Sequence, residues 1–309
     1  MSEMNDLQAS VEAAKEAARE AAAAPTQPQD RTARNQIFSA QQAAGGIPVR
    51  DVLKDDFGIN IPIEAVPLPS LGAVYPAESA AFNRETVDIK AMTAREEDIL
   101  TSKALIKKGT VISELLRSCL VDKNLRPESL LSGDRNALMT AVRITGYGAE
   151  YTVEVECPQC AERSKQEFSL ADLPIKRLDI SPVAEGVNLF EVDLPLTKKT
   201  VRFRFMTGDD EREMMVIQER AKKQGSEAES LITQRFKQQI AMVAGIDDKN
   251  KISTFVRAMP AGDSLFLRRY IDKHEPGIDM KSWMECPHCY EHSEVRLPMG
   301  ANFFWPDAE

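Results

Sequence analysis

Apolar residues alternate along RETVDIKAM at Val87, Ile89 and Ala91, which predicts a strand. Thr93-Ala-Arg-Glu96 then reads as a capping box, opening a helix to about Ile106. Lys108-Gly109 separates it from a second predicted helix over about Val111–Val121, whose Cys119 sits among Leu115, Leu116 and Leu120 as a core residue. A third helix is predicted over Asp134–Thr145, with Leu138, Met139, Val142 and Ile144 apolar and Gly146-Tyr-Gly148 as its stop. Alternation returns at Tyr151–Glu156. Farther on, NLFEVDLPLTKKTVRFRF predicts a hairpin, with Phe190, Val192 and Leu194 facing Val201, Phe203 and Phe205. Helical spacing marks about Asp210–Lys223, Glu227–Ala244 and Asp263–His274.

Upstream the pattern changes character. VEAAKEAAREAAAA favours helix but has little to bury, since only Leu7 and Val11 are large and apolar in the first 24 residues. It reads as a solvated arm or as a helix that orders on a partner, and PTQPQDRTARNQ after it is linker by composition. Val49, Val52, Leu53 and Phe57 lie at near-helical spacing in Ile47–Phe57, which predicts a short docking helix. Prolines at 62, 67, 69 and 76 then impose an extended strap with Ile, Val, Leu and Tyr side chains. That strap wraps its own body or a neighbouring subunit. The fold class expected is α+β: a mainly helical body with short antiparallel β-hairpins and a two-knuckle, zinc-ribbon-like element. The expected organisation is an arm and linker over 1–46, a strap over 47–83, a body over 84–299 and an aromatic tail over 300–309.

Two loops carry the candidate chemistry. E-C-P-Q-C-A-E-R-S at 156–164 matches E-C-P-H-C-Y-E-H-S at 285–293, and each lies between a strand-like run and another alternating run. Each is therefore a hairpin tip, with knuckles near 151–173 and 283–298. Cysteines at i and i+3 across such a turn bind one metal ion together, and two turns supply four thiolates. Cys157, Cys160, Cys286 and Cys289 are thus the candidate ligands of a structural Zn2+, a clasp joining mid-chain to a distant strand. Structural zinc supplies about 10–16 kcal/mol in small finger peptides, against a typical domain stability of about 5–15 kcal/mol.

Three other readings of these loops are weaker. A redox dithiol needs its second cysteine inside a helix, whereas a strand-like run follows Cys289. HCYEH fits H-x-x-E-H, but that chemistry needs His288 and His292 on one helix face, and Pro287 and the alternation argue for a hairpin. A nucleic-acid-reading zinc ribbon needs basic knuckles, and both are acidic.

Charge and composition narrow the classes. The 309-residue chain has net charge −9, which disfavours broad nucleic-acid or anionic-membrane binding and favours protein partners. No apolar run approaches the roughly 20 residues of a membrane span, and MSEMNDLQAS does not read as a secretory signal. With no Gly-rich phosphate loop, no G-x-S-x-G and no nucleophile beside an evident base, no catalytic residues are assigned and an enzyme is not favoured. Phe303, Phe304 and Trp305 would be costly left in water, so the tail either folds back beneath the second knuckle or anchors in a partner.

VPLPSLGAVYP followed by VDIKAMTAREEDIL, then GDRNALMTAVRITGYG, a strand and CPQC, resembles the baseplate proteins of T-even-type contractile-tailed phages. PAGDSLFLRRYIDKHEPGIDM leading into CPHC extends the resemblance, which covers about Ile61 to Met299. It implies a non-enzymatic protein of the tail baseplate hub, either part of the virion or a hub assembly chaperone in the host cytoplasm. Its implied partners are other baseplate, tube or tape-measure proteins, with self-association in the assembled tail left open. A zinc-ribbon nucleic-acid binder is the alternative reading, and a metalloenzyme ranks below it.

Overall fold

The computed structural model describes residues 51–54, 60–223, 231–299 and 301–304. The arm, its linker and Trp305 lie outside them.

The described chain opens with an antiparallel sheet of β1 (Asp51–Lys54), β2 (Asn60–Pro67) and β3 (Thr86–Lys90), with β2 central. This corrects the short helix expected over Ile47–Phe57. Val52 and Leu53 are both β-branched or bulky enough to suit a strand, and their backbone pairs with Pro62 and Ile61. Ladder hydrogen bonds to a neighbouring strand outweigh a helical spacing carried by only four residues. The first part of the proline-rich strap is therefore β2 itself, and the rest, as far as Asn83, is a run of turns. It lies on its own body: Val66, Leu68, Val74 and Tyr75 are buried. Gly72 permits this tight path, because at its φ of +72° a Cβ would sit 2.4 Å from the Arg84 nitrogen and 2.5 Å from the Ala81 oxygen.

Helix α1 (Ala94–Thr101) starts at the expected capping box, but the helix breaks at Ser102 and restarts as α2 (Lys103–Lys108). α2 buries no residue, so no packing face demands that the two align. Gly109, left-handed at φ 68°, ends it. Next, α3 (Val111–Cys119) buries Leu115, Leu116 and Cys119, the last in the core as expected.

α4 (Ser132–Tyr147) is the central element. Burial runs almost all round it from Ser132 to Ile144, which explains why its sequence is apolar on more than one face. The β4 (Glu150–Glu156) and β5 (Arg163–Ser169) hairpin follows directly. Residues Ile175–Lys176 (β6) later pair with β10 (Gly277–Ile278). A second three-stranded sheet, in the order β7-β8-β9, combines the expected hairpin of β7 (Phe190–Asp193) and β8 (Thr200–Phe203) with β9 (Ile240–Val243).

β9 corrects the helix expected over Glu227–Ala244. After α5 (Gly208–Lys223), helix α6 spans only Leu231–Gln239, and the chain then turns into strand. Ile240 and Val243 are buried opposite Phe203 and Val201, and the sheet captures them. A helix absent from the sequence reading, α7 (Lys249–Ala258), is capped by Asp248, whose carboxylate accepts from the Lys251 amide at 2.8 Å. α8 (Ala261–His274) closes the helical series, and the hairpin of β11 (Lys281–Glu285) and β12 (His292–Arg296) completes the strands.

The architecture is α+β, with short antiparallel strand pairs. Eight helices share the described residues with twelve strands, so a predominance of helix is not established. Among the described residues, one cluster of buried side chains joins both three-stranded sheets, the central helix α4, and the hairpins of the two knuckles. Gly133 marks the closest approach within it: a Cβ there would lie 1.7 Å from the Pro276 oxygen. The α4 N-terminus therefore rests directly on the backbone entering β10.

The aromatic tail folds inward at two of its three rings. Phe303 and Phe304 are buried, and Phe303 meets Tyr151 of β4 edge-on at 5.3 Å. The support is thus the strand of the first knuckle, not the underside of the second. Tyr151 also donates its hydroxyl to the Pro298 carbonyl at 2.7 Å.

Candidate metal centre

The two hairpins deliver the four candidate cysteines to one place. Each knuckle is closed in the same way. The Cys157 amide donates to Glu162 at 2.9 Å and the Ala161 amide to the Cys157 carbonyl at 2.9 Å. In the second knuckle, the Cys286 amide donates to Glu291 at 3.1 Å and the Tyr290 amide to the Cys286 carbonyl at 2.9 Å. Even the unusual backbone torsion repeats, with φ of 60° at Ala161 and 59° at Tyr290. The sequence repeat is therefore a structural repeat.

All four sulfurs lie within 4.8 Å of one another. Cys157 Sγ is 3.8 Å from Cys289 Sγ, and Cys160 Sγ is 3.7 Å from Cys286 Sγ. A disulfide needs about 2.05 Å, so these contacts are not disulfides. Four thiolates at about 2.3 Å from a tetrahedral ion would lie about 3.8 Å apart. The donor set and its spacing fit such an ion, and the grouping can hold one.

Electrostatics points the same way. Amides of Cys160 and Gln159 hold the Cys157 thiol down to about 6, and the Gln159 amide lies 3.4 Å from that sulfur. At Cys160 the Glu162 amide also favours the thiolate, yet burial and the sulfurs of Cys286, Cys157 and Cys289 push the group up to about 12. Cys289 is raised too, despite the Glu291 amide, by burial and by Cys286. The Cys157 thiolate is favoured here, whereas those of Cys160 and Cys289 are disfavoured until a cation sits beside them.

Of the remaining sequence candidates, His288 lies in the knuckle turn and His292 in β12, so the H-x-x-E-H spacing does not place them on one helix. Cys119 stands apart, with its thiol pushed up to about 12 by burial and by Glu96.

Sequence reasoning missed a second polar centre, which joins the strap to α4. Asp134, fully buried in the first turn of α4, accepts from the Ser70 amide at 2.9 Å and from the Ser70 and Tyr75 hydroxyls. Burial raises the Asp134 carboxyl despite these donors, and burial with Asp134 raises the Tyr75 phenol. Tyr75 in turn accepts from the Leu131 amide at 2.9 Å. Ser70, Tyr75 and Asp134 all fall in the stretches that carry the family resemblance, and that was their only signal. The arrangement has no nucleophile–base pair open to a ligand, and it fixes the start of the central helix against the strap.

Residues 68–189 match the family model described as T4 bacteriophage base plate protein. The match supports a T4-type phage baseplate protein. It spans the Ser70–Tyr75–Asp134 centre, all of α4 and the first knuckle, while the second knuckle lies outside it. No curated protein and no solved structure matches the chain. Among the described residues, no helix is long and apolar enough to cross a membrane.

Proposed function

We propose that this chain is a non-enzymatic component of the phage tail baseplate hub, or an assembly factor for that hub, that works by holding other tail proteins. The observation that carries the proposal is the baseplate match over residues 68–189. The α+β body supports it: its polar centres fasten one element to another, as Asp134 fastens the strap to α4. The metal proposed for the four-cysteine site is Zn2+, acting structurally. Soft thiolates in a tetrahedral set suit it, and four protein ligands leave no position for a substrate. Cys157, Cys160, Cys286 and Cys289 would hold it, bracing two hairpins that no strand pairing joins.

The partners proposed are other baseplate, tube or tape-measure proteins, met in the host cytoplasm during contractile-tail assembly. The test is the protein composition of purified tails beside that of assembly intermediates. Presence in finished tails selects the hub component, and presence only in intermediates selects the assembly factor. Absence from both overturns the proposal.

A further inference from the structure

The two knuckles share one backbone design, so each is a control for the other. Any side chain that one carries and the other lacks is not required by the turn. Trp283 of β11 stands where the first hairpin has Glu154, and Tyr290 stands where it has Ala161. Among the described residues these are the two most exposed large apolar side chains, with Trp283 at 69% and Tyr290 at 74%. Among the described residues neither ring stacks on another ring or lies under a cation.

Tyr290 is the more telling of the pair. Its φ of 59° lies in the left-handed region, where a bulky residue is strained and glycine or asparagine would serve better. A buried tyrosine could offset that strain by packing, but this one is mostly in water. Folding therefore explains neither its identity nor its position. An exposed Trp on β11 and an exposed Tyr in the turn that follows have the composition of interface anchors.

The surroundings select the occupant. The two hairpins, Glu150–Ser169 and Lys281–Arg296, carry eight glutamates against two arginines and two lysines. Glu294 lies opposite Trp283 in the β11–β12 ladder and Glu291 directly follows Tyr290. Aromatic faces with carboxylates beside them suit a guanidinium or ammonium group, which meets the ring by cation–π attraction and the carboxylates by charge. We propose that the second knuckle is a docking surface for an arginine- or lysine-bearing segment of a partner protein, anchored on Trp283 and Tyr290. This rests on the hairpins alone and stands whether or not the chain is a baseplate component.

The test grafts the first knuckle's residues onto the second, as Trp283→Glu with Tyr290→Ala, in the full chain with its metal. Titration calorimetry measures binding of a short arginine–leucine peptide and of its glutamate–leucine counterpart. The parent should prefer the arginine peptide by at least about tenfold, with affinity falling as salt rises. The graft should lose at least about tenfold for that peptide while keeping metal content and melting temperature. Tyr290→Gly supplies an opposite-signed readout: binding weakens while the melting temperature holds or rises, because the left-handed strain is relieved. A parent that does not distinguish the peptides, or a graft that binds like the parent, overturns the proposal. So does a dimer seen by sedimentation that depends on Trp283 and Tyr290, since the occupant would then be a second copy.

Discussion

Arg143 Nε donates to the carbonyl of Phe303 at 2.9 Å, joining the central helix to the aromatic tail across 160 positions of chain. The same guanidinium donates to the Gly148 carbonyl at 2.7 Å and the Glu150 carbonyl at 2.9 Å. A fully buried arginine thus meets three carbonyls around the C-terminal end of α4, where the helix dipole favours a cation. Burial still lowers its pKa, but a guanidinium remains charged.

Arg143→Ala should lower the unfolding free energy by about 2–4 kcal/mol, because it leaves the buried Phe303 carbonyl and two part-buried carbonyls without this donor. Arg143→Lys should recover only part of this, since an ammonium lacks the planar fork. Urea unfolding measures both. A loss below about 1 kcal/mol for the alanine variant would mean that water replaces the guanidinium.

Metal analysis should find one ion per chain. Chelation, or Cys157→Ser with Cys286→Ser, should abolish it and lower the melting temperature. Cys119→Ala should leave the stoichiometry unchanged, because that thiol lies in the core apart from the four clustered sulfurs. The Co2+-substituted protein should show the absorption of a tetrahedral thiolate site.

Glu96 should make stability depend on acid. Burial raises its pKa, but hydrogen bonds from Lys90, Ser118 and Thr93 prevail and bring the carboxyl to about 2, from an ordinary 4.5. A depressed carboxyl stabilises the fold when ionised. Its contribution is complete above about pH 4.5 and is lost as pH falls toward about 2. The difference corresponds to about 3 kcal/mol at neutral pH. Glu96→Gln should remove this part of the acid sensitivity in unfolding measured between pH 2 and pH 5, leaving a flatter profile.

Gly133→Ala should be among the most damaging single methyl additions. Its Cβ would meet the Pro276 oxygen at 1.7 Å, and both partners are backbone. The cost should reach about 3 kcal/mol or more, visible as a lower melting temperature. A neutral result would show that β10 can move away from α4.

The hairpins and the four cysteines were legible in the sequence because each signal is local. Alternation over five to seven residues specifies a strand, and a cysteine doublet around proline specifies a turn. β1 and β9 were not legible, since Val52 and Leu53 acquire their conformation from the neighbouring β2, and Ile240 and Val243 from the sequence-distant β8. Asp134 was hidden for a similar reason. An acidic residue in the first turn of a helix is ordinary, and only the folded strap brings Ser70 and Tyr75 to it. The tail was half legible: hydrophobicity implied that Phe303 would be covered, but not that Tyr151 and Arg143 would do the covering.

The separation between the two knuckles also sets a timetable. During synthesis Cys157 and Cys160 leave the ribosome long before their counterparts, and α4 emerges well ahead of Pro276 and Phe303. A nascent chain can form the first hairpin alone, but its sulfurs must wait, and so must Arg143. A message cut short upstream of Pro276 would therefore yield a product that lacks half of the four-sulfur grouping and both anchors of α4, Pro276 and Phe303, and is exposed to proteases.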